Sequence, residues 1–454
     1  MTPTGAADPV SDDAFLEVTP AGRLRGSPRL PGDKSISHRA LLLALLARGE
    51  SRIAAAGDGA DVRSTAQVCR SLGAEVERVR EDGGRIDYVV RSPGAGSLLE
   101  PSTILDAGNS GTTTRLVLGM LAGQPLTATV DGDASLRRRP MGRVTEPLGA
   151  MGAIFEGADG AALLPLTVTG LRPLAPLRYR TPVPSAQIKS AILLAGLAAD
   201  GETVVSEAVA TRDHTERMLR ARGVDVKETT EGGRHVAALH GPADVQAVAD
   251  QIPADPSGAA FWLVAAAIHP DAELTLRDVS ANPTRRAIID LLRRMGADIE
   301  ERPVPGRDGT GGEEPLADLV VRSSRLRGID VSADDVAGAI DEIPVLCLAA
   351  AVAEGRTRIS GAGELRHKES DRIAGIAAGL EALGARVRVE GDDIEIEGGR
   401  RLRGAVTETH DDHRLAMTFS VAGLIAEGRT TVLRPGSAAI SYPGFYRELE
   451  GVRA

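Results

Sequence analysis

Four segments of the chain combine lysine or arginine with serine, glycine or carboxylate side chains, each just before a helix-like stretch. They are residues 31–39, 106–115, 182–190 and 366–372. Amides at a helix N-terminus attract anions, glycine lets backbone amides approach an oxyanion, and guanidinium groups bind carboxylates and phosphates with charge-assisted hydrogen bonds. These residue types therefore predict a site for small anionic substrates, although each segment alone is also typical of a capped surface helix.

The segment 366–372 also predicts acid–base chemistry, because it places Glu369 among three cations. A carboxylate that exchanges protons needs nearby positive charge and limited access to water. Residues 340–344 and 409–414 contain further carboxylates in similar surroundings, Asp341 among them. The last of these segments holds a His-Asp-Asp-His string that could bind a metal. Adjacent residues rarely point at one ion, however, and Asp before a helix is typical of an N-cap, so we expect the cap.

The first of the four segments resembles a nucleotide P-loop only superficially. A P-loop needs glycine directly before the lysine, whereas Asp33 precedes Lys34 in this chain. We expect Ser35 and Ser37 to cap the apolar helix predicted at 40–47. The segment thus indicates an anion site at a helix N-terminus rather than a nucleotide fold.

The elements that must position these segments are indicated by an internal repeat. A helix-like stretch ends in glycine, followed by Ala or Val and a short strand, at six near-regularly spaced places: Gly73, Gly152, Gly223, Gly296, Gly384 and, in truncated form, Gly451. Glycine after the last helical turn can close a helix in the left-handed conformation. The repeat predicts six strand–loop–helix–turn units, in two domains of three, whose equivalent loops converge on one site.

Composition excludes several classes of function. The net charge is −10 and aromatic residues make up only 2% of the chain, so the basic field and stacking surfaces of a nucleic-acid-binding protein are missing. The longest apolar runs, near 40–47 and 191–199, are too short to span a membrane. The only cysteines, Cys69 and Cys347, lie in apolar helix-like stretches, which predicts buried thiols and a reducing cytoplasm.

Taken in order along the chain, these motifs are similar to those of the 5-enolpyruvylshikimate-3-phosphate synthases, within the enolpyruvyl transferase family. The resemblance covers nearly the whole chain. It is carried by Gly32-Asp33-Lys34-Ser35 with His38-Arg39-Ala40, Gly108-Asn109-Ser110-Gly111-Thr112 with Arg115, Arg139-Pro140, Ser185-Ala186-Gln187-Ile188-Lys189-Ser190, Lys368-Glu369-Ser370-Asp371-Arg372 and Asp412-His413-Arg414.

The resemblance implies an α/β fold of two inside-out α/β barrel domains. Each domain would consist of three repeated βαβαββ-like units, and the active-site cleft would lie between the domains. Residues 1–33 would join 254–454 in a discontinuous domain, and 34–253 would form the other.

The implied enzyme is a 3-phosphoshikimate 1-carboxyvinyltransferase of the shikimate pathway, which leads to chorismate and the aromatic amino acids. It would transfer the enolpyruvyl group of phosphoenolpyruvate to the 5-hydroxyl of shikimate 3-phosphate and release phosphate, with no metal and no organic cofactor. Its partners would be these two small molecules alone. We expect a cytoplasmic monomer that binds neither nucleic acid nor a membrane.

The resemblance also implies roles for individual residues. Those implied to bind shikimate 3-phosphate are Lys34, Ser35, Arg39, Ser185, Ala186, Gln187, Arg212, Asp341 and Lys368. Those implied to bind phosphoenolpyruvate are Lys34, Asn109, Gly111, Arg139, Gln187, Arg372 and Arg414. The implied catalytic residues are Asp341, which takes the proton of the attacking hydroxyl, Glu369, which protonates the methylene carbon, and Lys34.

The chain departs from the family pattern near its C-terminus, where 439–443 lacks a lysine that relatives often carry before an aromatic-Pro pair. An asparagine that some relatives have just before Lys368 is also absent. Gly111 lacks the methyl group that crowds glyphosate in insensitive relatives, so we expect a glyphosate target.

Two other functions fit parts of the pattern. The sister transferase acting on UDP-N-acetylglucosamine uses a loop cysteine as its acid, and neither Cys69 nor Cys347 lies in a basic glycine-rich loop. A non-catalytic anion-binding module would need the basic loops but neither Asp341 nor Glu369.

Overall fold

The structure, a computed structural model, describes residues 15–81, 85–309 and 313–453, and the chain divides into two compact units. The second-half unit contains the N-terminal stretch up to Pro31, Pro253–Arg307 and the stretch from Pro315 onward. The first-half unit contains Gly32–Ile252. The described residues of Asp308–Glu314 also belong to the first-half unit, unlike in the predicted division of the chain.

The chain begins with two strands of the second-half unit and then forms the first-half unit. The two strands are β1 (Phe15–Val18) and β2 (Leu24–Gly26). The elements of the first-half unit are α1 (Lys34–Leu46), β3 (Gly49–Ala54), α2 (Ala60–Ser71), β4 (Glu75–Arg80), β5 (Ile86–Ser92), β6 (Leu105–Asp106), α3 (Gly111–Ala122), β7 (Thr127–Asp131), α4 (Gly142–Ala150), β8 (Ile154–Gly157), α5 (Ala158–Ala161), β9 (Leu163–Thr169), β10 (Arg178–Arg180), α6 (Ala186–Gly196), β11 (Gly201–Glu207), α7 (His214–Arg220), β12 (Val226–Glu231), β13 (Arg234–Gly241) and β14 (Ala249–Gln251).

The rest of the chain completes the second-half unit. Its elements are α8 (Pro256–Ile268), β15 (Ala272–Ser280), α9 (Ala287–Arg294), β16 (Asp298–Pro303), β17 (Leu316–Arg322), β18 (Asp330–Val331), α10 (Ala333–Gly338), α11 (Ile343–Val352), β19 (Arg356–Ile359), α12 (Arg372–Ala382), β20 (Arg386–Glu390), β21 (Asp393–Glu397), β22 (Val406–Thr407), α13 (His413–Gly423), β23 (Thr430–Leu433) and α14 (Phe445–Gly451). Short 3-10 helices cover Leu136–Arg138, Pro283–Arg285, Gly363–His367 and Pro435–Ile440.

The described strands form six mixed sheets, three in each unit, with a shared pattern. Five are four-stranded, with the orders β14-β3-β5-β4, β6-β7-β9-β8, β10-β11-β13-β12, β2-β15-β17-β16 and β18-β19-β21-β20. In each of them the first two strands are parallel and the remaining pairs are antiparallel. The sixth sheet, β1-β23-β22, has three strands and keeps the parallel pair. The protein is thus an α/β fold built from a repeated unit.

The glycine turns of the predicted repeat lie where the helices end. Five of the six adopt a positive φ two or three residues after the last residue of α2, α4, α7, α9 and α12, namely Gly73, Gly152, Gly223, Gly296 and Gly384. A side chain would be strained in this conformation, which accounts for glycine there. The prediction was wrong at Gly451, which is the last residue of α14 and has no positive φ.

Each unit has its own core, made mainly of aliphatic side chains on helices buried all round. In the first-half unit α3 and α6 approach so closely that a Cβ on Gly119 would lie 2.4 Å from the carbonyl oxygen of Ala191. Small residues at such contacts explain how the chain fills its cores with so few aromatic rings. Even so, no helix among the described residues has the length and hydropathy needed to cross a membrane.

Candidate active site

The N-terminus of α1 carries the first group of predicted site residues. The helix begins at Lys34, earlier than the predicted 40–47, and its cap is Asp33, whose Oδ1 accepts a 2.9 Å hydrogen bond from the Ile36 amide. The prediction that Ser35 and Ser37 form the cap was therefore wrong. Ser37 instead donates from Oγ to the Asp33 carbonyl at 2.7 Å, within the first turn.

Arg39, one turn further along α1, is the most buried cation of this group. Its three guanidinium nitrogens donate to Thr215 Oγ1 at 2.8 Å, Ser190 Oγ at 2.7 Å and the Ser35 carbonyl at 2.8 Å. Burial lowers the pKa of Arg39 to about 10, with Arg212 adding to this shift and Glu216 opposing it. The guanidinium is thus held rigidly in a dry environment where an anionic ligand would interact with it strongly.

Two other predicted residues lie at the same helix end. Arg212 donates from Nη1 to Ser35 Oγ at 3.4 Å. The Lys34 ammonium lies 3.0 Å from Oδ2 of Asp61, a nearly buried carboxylate on α2. The structure thus brings Lys34, Ser35, Arg39 and Arg212 together around one helix N-terminus.

The glycine-rich loop leading into α3 holds two of the predicted phosphoenolpyruvate residues of this unit, Asn109 and Gly111, and Arg139 reaches it from a later loop. Arg139 donates from Nη2 to Asn109 Oδ1 at 2.6 Å and from Nη1 to the Asn109 carbonyl at 3.3 Å. A Cβ on Gly111 would lie 2.9 Å from Nη1 of Arg115 and 3.5 Å from Nη1 of Arg139. Gly111 therefore leaves space directly beside two guanidinium groups.

Arg115 is a member of this site that we did not assign from the sequence. It donates from Nη1 to Gln187 Oε1 at 2.7 Å, and Gln187 donates in turn to Thr112 Oγ1 at 3.0 Å. Ser185 caps α6 by accepting from the Ile188 amide at 3.4 Å, and Ala186 is the first residue of that helix. The position of Arg115, four residues after Gly111 on one helix face, could have indicated its role.

The second-half unit carries a separate group of predicted residues, centred on Arg372 at the start of α12. Its guanidinium contacts three carboxylates: Glu369 Oε2 at 2.5 Å, Asp412 Oδ2 at 2.8 Å and Asp341 Oδ1 at 3.5 Å. Burial opposes the charge of Arg372, but Asp412, Glu369 and Asp341 outweigh it and raise the pKa above its ordinary value. Both predicted catalytic carboxylates thus share one buried cation.

The other two cations of segment 366–372, Lys368 and Arg366, contact different carboxylates. Lys368 donates to Asp341 Oδ1 at 3.3 Å. Arg366, by contrast, pairs with Asp371 at 3.0 Å and Asp392 at 3.3 Å. The expectation that all three cations surround Glu369 was therefore too broad, since Arg366 stabilises the loop instead.

Asp412 confirms the interpretation of the His-Asp-Asp-His string as a helix cap. Its Oδ1 accepts from the Arg414 amide at 2.8 Å, and its Oδ2 accepts from Arg372 and from Ser370 Oγ at 3.0 Å. Burial pushes the pKa of Asp412 up, but Arg372 outweighs this and holds it below the ordinary value. The carboxylate thus links the starts of α12 and α13.

Close helix packing brings these two helix starts together. A Cβ on Gly379 of α12 would lie 2.0 Å from the ring of Phe419 on α13. One turn earlier, a Cβ on Gly375 would lie 2.5 Å from the side chain of Leu415. Because these two residues have no side chain, α12 and α13 can pack closely enough for Asp412 to contact Arg372.

Arg414 is held by a polar network that the sequence did not reveal. It donates from Nη1 to the Ser257 carbonyl at 3.4 Å and lies 6.0 Å from the Phe261 ring centroid. Ser257 Oγ contacts the buried carboxylate of Glu342 and accepts from Arg285 Nη2 at 3.0 Å. Glu342 is the neighbour of Asp341 in the chain. The network therefore connects Arg414, which is predicted to bind phosphoenolpyruvate, with the segment that carries Asp341.

Both cysteines are buried, as predicted, and burial raises the pKa of Cys69 and Cys347 to about 12. Neither thiol can supply a proton or a thiolate in the manner of the sister transferase.

One group among the described residues, Asp213, His214 and Glu314, has the composition of a metal site. Its His214 Nδ1 lies only 2.6 Å from Glu314 Oε1. Two ligand atoms that each lie about 2.1 Å from one zinc ion are separated by more than this distance. A hydrogen bond between His214 and Glu314 therefore accounts for the contact. The expectation that no metal is used stays a prediction.

Comparison with known proteins gives a consistent result over nearly the whole chain. A family model described as EPSP synthase (3-phosphoshikimate 1-carboxyvinyltransferase) matches residues 18–449. The 3-phosphoshikimate 1-carboxyvinyltransferase of Gloeobacter violaceus is 51% identical over 439 residues, which are 96% of this chain and 99% of the relative. That of a Synechococcus strain is 50% identical over 437 residues, 96% of each chain.

Solved structures agree with this. An EPSP synthase structure from Acinetobacter baumannii has a TM-score of 0.83 at 40% identity and covers 96% of this chain and 98% of its own. The enolpyruvyl transferase NikO from Streptomyces tendae has a TM-score of 0.76 at 22% identity, covering 96% and 97% of the two chains, which supports the fold alone.

Proposed function

The chain belongs to the EPSP synthase family, and from that premise we propose how its residues divide the work of the reaction. The enzyme transfers the enolpyruvyl group of phosphoenolpyruvate to shikimate 3-phosphate, a step in aromatic amino acid biosynthesis. The 5-hydroxyl oxygen attacks C2 of phosphoenolpyruvate while C3 gains a proton. The intermediate then loses a proton from C3 together with phosphate from C2.

In our proposal the first-half unit binds mainly the anionic groups. Residues around the start of α1 and α6 would hold shikimate 3-phosphate: Lys34, Ser35, Arg39, Ser185, Ala186, Gln187 and Arg212. Asn109, Gly111 and Arg139, together with Lys34 and Gln187, would hold phosphoenolpyruvate. Arg115 fits as a further contact because it fixes Gln187. Planar guanidinium groups suit the carboxylate and phosphate of this substrate.

The second-half unit would carry the proton transfers. Asp341 would take the proton of the attacking hydroxyl, with Lys368 beside it on shikimate 3-phosphate, and Glu369 would exchange the C3 proton. Arg372 and Arg414 would bind phosphoenolpyruvate. A substrate carboxylate that replaced Glu369 at Arg372 would leave Glu369 next to an anion, and this favours the protonated acid that the first step needs.

The proposal extends to the architecture. The two compact units would be the two inside-out barrel domains of the family, and the two residue groups would act on the same pair of substrates. We also propose a cytoplasmic monomer without nucleic-acid or membrane partners, in keeping with a net charge of −10 and few aromatic residues. Arg434 is a cation near the position of the missing C-terminal lysine. Its side chain pairs with Glu408 and Asp411, so we do not assign it the role of that lysine.

The observation that carries these assignments is the meeting of Asp341 and Glu369 at one buried guanidinium. We expect Glu369→Gln to lower kcat by about two orders of magnitude or more, since general acid–base catalysis contributes about 10²- to 10⁴-fold. Substrate binding, measured by calorimetry, should change little because the amide has the same shape. The assay is phosphate release from phosphoenolpyruvate, with shikimate 3-phosphate or UDP-N-acetylglucosamine as acceptor.

Glu390→Gln is the matched control, because Glu390 is an exposed carboxylate on β20 that pairs only with a surface arginine among the described contacts. It should leave kcat unchanged. A Glu369→Gln enzyme as active as this control would overturn the assignment.

A further inference from the structure

We propose that Lys189, Glu207 and Glu216 form a buried ion triad that positions Arg39 and Arg212 for shikimate 3-phosphate. The inference rests on the shikimate 3-phosphate site proposed above. It assigns the triad no contact with substrate, so its members are positioning residues.

The triad joins three elements of the first-half unit. Lys189 lies on α6, Glu207 ends β11 and Glu216 lies on α7. The Lys189 ammonium lies 2.8 Å from Glu207 Oε2 and 2.8 Å from Glu216 Oε1. The three side chains are 6%, 2% and 1% exposed, so this is an ion cluster without access to bulk water.

One arm of the triad fixes the loop that carries Arg212. Glu207 accepts from Thr211 Oγ1 at 2.7 Å and from the Thr211 amide at 3.4 Å. Lys189 donates to the Thr211 carbonyl at 3.3 Å. Both backbone groups of Thr211 are therefore bound to the triad, which sets the starting point of the Arg212 side chain directly beyond it.

The other arm reaches Arg39 through neighbours of the triad in the chain. Ser190 follows Lys189, Thr215 precedes Glu216, and their hydroxyls lie 2.7 Å apart. Both hydroxyls accept from the Arg39 guanidinium. Any shift of α6 against α7 would separate these two acceptors and change the direction of Arg39.

The charges of the triad suit the same role. Burial and the nearby Arg212 disfavour the charged form of Arg39, whereas Glu216 favours it. Burial raises the pKa of Glu216, and the Lys189 ammonium works against that shift. Burial also opposes the charge of Lys189, but Glu216 and Glu207 outweigh it and raise its pKa. Lys189 thus helps to keep Glu216 negatively charged. That negative charge offsets the repulsion between Arg39 and Arg212 when no substrate anion is bound.

A buried ion cluster could also serve the fold alone, and the experiment separates the two roles. Removing one member leaves an uncompensated buried charge and risks unfolding, whereas apolar replacement of a whole cluster is often neutral for stability. The test variant is therefore the triple substitution Lys189→Met, Glu207→Met and Glu216→Met. Thr211→Val serves as a second variant, because it removes the hydroxyl that contacts both carboxylate oxygens of Glu207 and leaves the ions in place.

We expect the triple variant to raise KM for shikimate 3-phosphate about tenfold or more, and Thr211→Val to raise it less, because small misplacements of binding groups are costly. KM for phosphoenolpyruvate should rise less than KM for shikimate 3-phosphate, since Arg139 and Arg372 lie outside the network and only Gln187 shares α6 with Lys189. The matched control is Arg222→Met with Asp250→Leu, which removes another buried ion pair of the same unit. This control should leave both KM values unchanged.

Two outcomes overturn the inference. One is a folded triple variant and a Thr211→Val enzyme that both keep the wild-type KM for shikimate 3-phosphate. The other is an equal rise in the triple variant and in the Arg222/Asp250 control, which would indicate general loosening. Arg212→Met distinguishes failure of the underlying site: if it leaves KM for shikimate 3-phosphate unchanged, the proposed substrate site is wrong. If it raises KM and the triad variants do not, only the triad's role is refuted.

Discussion

Replacing Arg372 by methionine should destabilise the second-half unit strongly and in a pH-dependent way. The Arg372 side chain is 1% exposed, and it is the cation that contacts the fully buried Asp412 carboxylate at 2.8 Å. Removing one partner of a buried ion pair typically costs about 3–5 kcal/mol, because a buried charge is left uncompensated. We expect a loss of that size in the free energy of unfolding at pH 8.

The pH dependence follows from the pKa of Asp412. Although burial raises this pKa, Arg372 outweighs it in the wild type and holds the folded-state value below that of the unfolded chain. The resulting stability is present above the unfolded-state pKa and is lost as the pH falls through the folded-state value. In Arg372→Met the largest influence that opposes burial is gone and the weaker one of His413 remains, so we expect the folded-state pKa to rise above the unfolded one. The variant should then regain stability as the pH falls, and its deficit should shrink between pH 8 and pH 5.

Urea denaturation at the two pH values, followed by tryptophan fluorescence, measures this deficit. The chain has one tryptophan, Trp262, which is buried on α8 of the same unit. Adding Asp412→Asn should restore part of the loss, because the orphaned charge is removed. Arg401→Met, which removes an exposed pair with Glu427, is the control and should leave the transition unchanged. A deficit below about 1 kcal/mol at pH 8, or one of equal size at pH 5, would refute the reasoning.

Two further predictions concern glycines. Gly111→Ala should weaken glyphosate inhibition and raise KM for phosphoenolpyruvate, because its Cβ would lie 2.9 Å from Arg115 Nη1. Glyphosate titrations of the wild type and the variant test this, and identical inhibition curves would contradict it. Gly379→Ala should lower the free energy of unfolding by about 1–3 kcal/mol in urea, since its Cβ would overlap the buried Phe419 ring. Gly451→Ala is its control, with open space around the added methyl group, and an equal effect of both changes would exclude overpacking as the cause.

Features set by neighbouring residues could be predicted from the sequence. Five helix-ending glycines, Gly73 for example, adopt the expected positive φ, because a helix end and its turn are local. Asp412 caps α13 as expected, since an Asp before an apolar helix has few other roles. The truncated copy at Gly451 failed because this glycine is still inside α14, as its last residue, and therefore does not adopt the positive φ of a helix-closing turn.

Features set by tertiary packing could not be predicted. Asp33, Ser35 and Ser37 can all cap a helix, and the choice depended on how early the buried face of α1 begins. In the sequence, Glu342 is one of two adjacent carboxylates, and Lys189 is the single charge of the segment 182–190. Their roles follow from burial against residues distant in the chain, which the sequence pattern does not encode.

The strand that opens the described chain has a consequence for biosynthesis. β1 pairs with β23, and the Tyr442 hydroxyl donates to the Arg29 carbonyl, 413 positions away, at 2.5 Å. Domains generally fold as they emerge from the ribosome, N-terminal parts first. The first-half unit can therefore complete nearly all of its core while translation continues. Among the described strands, β1 pairs only with β23, which is made near the end of translation. A truncated messenger would therefore yield a folded first-half unit, with the anion-binding residues of our proposal but without the residues proposed for proton transfer.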